Sequence, residues 1–92
     1  MSASTGITAE ALRARLAERL APSALEVLDE SSAHLGHAGQ DGTGVGTHFR
    51  VRIASPLFAG KSKVAQHRLV YDALRDYIER ERGIHALAVE TL

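Results

Sequence analysis

Five histidines and no cysteine decide what inorganic chemistry this 92-residue chain can do. Without thiolates it forms no disulfide, runs no thiol redox chemistry and cannot cage zinc or iron with sulfur of its own. It can lend neutral imidazole nitrogen, a donor that suits Zn, Cu and Fe. His34 and His37 lie three residues apart in a glycine-rich stretch, and His85 follows Gly83 and Ile84 at the start of a late apolar segment. If the glycine-rich stretch swings toward the entry of that segment, two imidazoles face one another at one edge of the domain. Two ligands are too few for a closed structural site, so a metal there would be shared with a partner. His48 opens an alternating segment on its polar side and reads as an exposed cross-strand residue. His67 stands one turn before Tyr71 on apolar helical spacing and reads as a structural histidine. No serine–histidine–acid set has a G-x-S-x-G context, and no paired carboxylates stand where burial would raise one pKa. No enzymatic activity is expected.

The elements that must position these residues are legible from periodicity. Thr8 is an N-cap with Glu10 in the first turn, and Leu12, Leu16 and Leu20 stripe one helix that Pro22 and Ser23 end. Residues 25–29 read as a short strand with Leu25 and Val27 on one face. Residues 31–46 hold Gly36, Gly39, Gly42, Gly44 and Gly46 with no apolar period, and read as a long loop between two strands. In residues 47–55, Phe49, Val51 and Ile53 alternate with His48, Arg50 and Arg52, one face in and one face out. Ser55-Pro56 breaks that strand, and Phe58-Ala59-Gly60 makes a turn in which Gly60 is structural. One helix is expected over 62–81, with Val64, His67, Tyr71, Leu74 and Ile78 on its apolar face and Gly83 as its C-cap. A last strand is expected over 84–92. The order α-β-β-α-β gives an α+β sandwich: an antiparallel pair, a helical crossover to a third strand, and two helices on one sheet face.

The chain reads as a single domain over 1–92, with 1–7 expected to be flexible. Eleven basic and eleven acidic side chains cancel, so attraction to nucleic acid needs a local patch. Lys61, Lys63 and Arg68 on the second helix are the candidates, diluted by Asp72, Asp76 and Glu79. Gly36-His37-Ala38-Gly39 has the G-x-x-G spacing of nucleotide-clamping loops but lies between strands, and Gly42–Gly46 lacks the lysine and hydroxyl of a phosphate loop. With no signal-peptide pattern and no stretch long enough to cross a bilayer, a soluble cytoplasmic protein is expected.

Taken together, several short motifs resemble those of BolA family proteins over most of the chain. Leu25-Glu26-Val27 with Asp29-Glu30-Ser31, Thr47-His48-Phe49-Arg50-Val51, Phe58-x-Gly60-Lys61 leading to His67-Arg68-Leu69-Val70-Tyr71, and Ile84-His85-Ala86-Leu87 each match a part of that pattern. Gln66 departs from it, since arginine usually precedes the histidine. The resemblance implies a KH-like (class II) fold. It also implies a partner, a monothiol glutaredoxin of the CGFS type, and a [2Fe–2S] cluster bridged between the two proteins with glutathione. By position, His85 matches the ligand on the last strand. His34 matches the ligand of the loop, with His37 as its rival, so the chain resembles the histidine-loop subgroup. Two imidazoles in place of two thiolates on one iron raise the potential of such a centre. A DNA-binding transcriptional regulator is the alternative role that the resemblance carries.

Overall fold

A computed structural model describes residues 6–30, 47–80 and 83–92. Helix α1 (Ala9–Leu20) is followed by β1 (Ala24–Asp29), β2 (His48–Ala54), a short 3-10 turn (Pro56–Phe58), α2 (Lys63–Ala73), α3 (Arg75–Glu79) and β3 (Ala86–Thr91). The three strands form one mixed sheet in the order β1-β2-β3. β1 runs antiparallel to β2 with Val27 opposite Val51, and β3 runs parallel to β2 with Val51 opposite Val89. The α+β architecture expected from the pattern is therefore the one observed.

Local chemistry starts α1 and α2 where the sequence indicates. The Thr8 hydroxyl accepts from the Ala11 amide at 3.0 Å, satisfying one orphan donor of α1. Ala21, in the left-handed region at φ 45°, ends that helix. Gly60 takes φ 75°, a conformation that costs a glycine little, and the Lys61 amide closes the turn on the Phe58 carbonyl at 3.1 Å. Gln66 ties the same turn down, its side-chain amide donating to the carbonyls of Phe58 and Lys61 at 3.2 and 3.0 Å. The family-atypical glutamine thus has a structural task. Ser62 then caps α2 through the Ala65 amide.

The core lies between the helices and one sheet face. Leu12, Leu16 and Leu20 of α1 meet Phe49, Val51 and Ile53 of β2 and Val70, Ala73 and Leu74 after them. Ile7 belongs to this core at 2% exposure, so the tail expected over 1–7 gives way to packed structure by that residue.

The single helix expected over 62–81 is two. The Leu74 amide is shared between the carbonyls of Val70 and Tyr71, and the Tyr77 amide donates to Leu74 rather than continuing the ladder to Ala73. Arg15 of α1 donates to the Ala73 carbonyl at 3.0 Å and grips Asp76 of α3 through both guanidinium ends at 2.5 and 3.1 Å. The break buries Leu74 completely and leaves Val64 and Tyr71 67% and 39% exposed, so the apolar stripe from Val64 to Ile78 does not lie on one buried face. β3 also begins later than expected, at Ala86.

The Arg15 guanidinium, as hydrogen-bond donor first and charge second, holds the Asp76 carboxyl below its ordinary value, from 3.8 to about 2. A carboxylate whose pKa falls on folding stabilises the fold above its unfolded value, and that contribution is lost as pH drops through the folded one. Asp76→Asn should therefore lower the melting temperature at pH 7, and the gap to wild type should close between pH 4 and pH 2. Thermal unfolding at these pH values checks it; a gap independent of pH would remove the ion pair as its cause.

Candidate metal centre

His85 sits just before β3, and the backbone around it is fixed from two sides. Ile84 is buried, with its amide donating to the Tyr77 carbonyl at 3.1 Å. The amides of His85 and Ala86 both donate to the Thr47 carbonyl, at 2.8 and 3.2 Å. Between an anchored apolar residue and a paired strand, the His85 side chain has only the solvent side, and it is exposed.

Thr47 joins this segment to a second histidine. His48 opens β2 directly opposite Ala86 in the parallel register. Its ring is half-buried, stands edge-on to the His85 ring at 81°, and has its centre 6.1 Å from that of His85. Its Nδ1 is 2.9 Å from the Thr47 hydroxyl, which sets the plane of the ring. The sequence reading gave His48 only an exposed cross-strand role. The missing signal was the parallel β2–β3 register, which no local pattern encodes.

The loop candidates His34 and His37 lie outside the described residues. Both ends of their segment do not: the Glu30 amide donates to the His48 carbonyl at 2.8 Å, so Glu30 and Thr47 meet at the same end of the sheet as His85. Among the described residues no three histidine, cysteine or acidic side chains gather to hold a metal. The arrangement is a two-imidazole edge, open to donors from elsewhere.

The remaining candidates separate by their partners. Lys63 is exposed but reaches β3, its ammonium donating to the Thr91 carbonyl and hydroxyl at 2.9 Å each. Lys61 and Arg68 are exposed and form no ion pair among the described residues. His67 is half-buried rather than sealed in the core, and it lines a shallow depression with Val64, Arg68 and Tyr71. The Tyr71 hydroxyl donates to the Leu87 carbonyl at 3.1 Å, joining α2 to β3 two residues beyond His85. On the outer sheet face, Arg50 pairs with Glu30 and Glu90, and Arg52 with Glu26 and Glu90. Hydrogen bonds that Arg50 donates to Glu30 and then to Glu90 raise its pKa, and the second of these bonds lowers that of Glu90.

Residues 16–92 match a family model described as BolA-like protein. The chain is 50% identical over 82 residues to an uncharacterized protein of the cobS 5′ region in Sinorhizobium sp., covering 88% of this chain and 85% of that one. Against SufE-like protein 1, chloroplastic/mitochondrial, of Arabidopsis thaliana the identity is 47% over 81 residues, covering 85% of this chain and 21% of that longer protein. The solved BolA domain of SufE1 from Arabidopsis thaliana superposes with a TM-score of 0.75 at 41% identity, covering 90% of this chain and 87% of that one.

Gly83 sets the approach to His85 by close contact, correcting its expected role as the C-cap of the second helix. It is buried, α3 is capped at Arg80 instead, and a Cβ at position 83 would lie 2.9 Å from the Ile78 carbonyl oxygen and closer still to that of Tyr77. Gly83→Ala should cost about 1–3 kcal/mol as an overpacking change and loosen the Ile84 anchor. Urea unfolding, with amide exchange at Ile84 and His85, measures both; wild-type stability and exchange would show that the contact yields freely.

Proposed function

The chain belongs to the BolA-like family, and on that premise we propose a non-enzymatic adaptor that binds a monothiol CGFS-type glutaredoxin and shares a [2Fe–2S] cluster with it, in iron–sulfur cluster trafficking or iron homeostasis. The observation that carries the reading is His85: an exposed imidazole, backbone-fixed at a sheet end, in a chain with no thiolate of its own. A donor built this way completes a centre whose sulfur ligands come from outside, here the glutaredoxin cysteine and glutathione. His85 would hold the iron, with His34 or His37 as the second nitrogen donor. A [2Fe–2S] group supplies one-electron chemistry when bound. The chain's own part is to keep the His85 nitrogen at the domain edge, to leave that edge open for a docking partner, and to resist its collapse through the Thr47 and Tyr77 hydrogen bonds. In SufE1 of Arabidopsis thaliana a BolA domain is part of a longer protein.

The nucleic-acid reading rests on Lys61, Lys63 and Arg68, because the arginines of the sheet are neutralised by Glu26, Glu30 and Glu90. A cytoplasmic site of action is part of the same proposal. The Arabidopsis relative is named for chloroplast and mitochondrion, so family membership leaves the compartment open.

Anaerobic cluster reconstitution of this chain with a monothiol glutaredoxin and glutathione tests the proposal. A mixed complex with its own visible circular dichroism should form, and His85→Ala should abolish that signal while the free chain keeps its fold. His34→Ala and His37→Ala then identify the loop donor by which of them alters the spectrum. No mixed complex, or an unchanged spectrum with His85→Ala, would refute the assignment.

A further inference from the structure

We propose that Arg15 of α1 is a positioning residue for His85: it breaks the helix between α2 and α3, and the break presents the Tyr77 carbonyl to the Ile84 amide. The positioning itself stands on the free chain, while its consequence for a bound cluster rests on the adaptor reading above.

The break has its cause outside the helix. Sharp kinks arise at proline, at glycine and serine, at π-bulges, or where a side chain enters the hydrogen-bond ladder. Residues 63–79 contain no proline, glycine or serine. The bonds at the junction are of the tight 3-10 kind, from Leu74 to Tyr71 at 3.1 Å and from Tyr77 to Leu74 at 2.9 Å, which excludes a π-bulge. The ladder is entered at Ala73. Its carbonyl, which the Tyr77 amide takes in a continuous helix, accepts instead from Arg15 Nη1 at 3.0 Å. The same guanidinium holds both Asp76 carboxylate oxygens, at 2.5 and 3.1 Å, and stands 4.8 Å from the centre of the Tyr77 ring. A planar fork engaged in this way fixes the direction of α3 as well as its start.

From α3 the constraint reaches His85 in one further contact. Arg80 Nε takes the Asp76 carbonyl at 3.1 Å, and its guanidinium stands 4.6 Å from the centre of the Tyr77 ring. The next carbonyl, that of Tyr77, accepts the Ile84 amide at 3.1 Å and occupies the space that a side chain on Gly83 would need. Ile84 is buried, and the exposed His85 follows it directly. Two arginines therefore hold the Tyr77 ring, while the Tyr77 backbone holds the approach to His85. Outer partners that orient a metal ligand are worth about 10–100-fold in affinity or activity.

Arg15→Met removes the donors and leaves an apolar side chain beside the Tyr77 ring. In the free chain, amide exchange at Ile84 and His85 should lose protection relative to Leu16 and Val51 of the core. In the complex reconstituted with a monothiol glutaredoxin and glutathione, loss of the cluster to a chelator should speed up about tenfold or more. Thr8→Ala, which removes the α1 cap, is the control, compared at equal global stability. Arg15→Lys keeps the charge beside Asp76 without the fork; it should act in the same direction, and it carries the test if Arg15→Met does not fold. Unchanged protection at Ile84, or variants that match Thr8→Ala, would overturn the positioning role, and cluster loss at the wild-type rate would overturn its consequence for the centre. A wild-type chain that forms no mixed complex refutes the adaptor reading, and the exchange result still decides on Arg15.

Discussion

The carbonyl of Thr47 is the constraint on which the site rests. It accepts the amides of both His85 and Ala86, so it ends the approach to β3 and starts the parallel ladder with β2 in one contact. Because strand side chains alternate, a slip of one residue in this register would turn His48 away and send the hydrophobic set of β3 to the wrong face. The register cannot slip cheaply: Leu87 and Val89 pack against the core, and Phe49 and Val51 opposite them are nearly or fully buried. The positions of the half-buried His48 and the exposed His85 are therefore enforced by apolar burial several residues away. Lys63 and Tyr71 add to this from the helix side, each holding a carbonyl of β3.

The outer face of the sheet shows how charge is used where no partner is indicated. Arg50 and Arg52 are divided among Glu26, Glu30 and Glu90. Exposed pairs of this kind contribute about 0–1 kcal/mol each, so they do not hold the sheet together. Their effect is to flatten the field over that face, where a nucleic-acid platform would need uncompensated arginine and stacking aromatics.

Much of the fold was legible because one periodic signal sufficed for each element. Leu12, Leu16 and Leu20 gave the buried stripe of α1, and Phe49, Val51 and Ile53 gave the inner face of β2. What escaped depends on contacts distant in sequence. The break at Leu74 follows from Arg15, whose guanidinium takes the Ala73 carbonyl that a continuous helix would have used. Gly83 carried the signature of a helix cap, yet it is there because the carbonyls of Tyr77 and Ile78 leave no room for a side chain. Lys63 reaches β3 only because that strand lies beside α2. The closeness of the His48 and His85 rings was not legible, since alternation alone tells which side of a strand a residue faces and not which strand lies next to it.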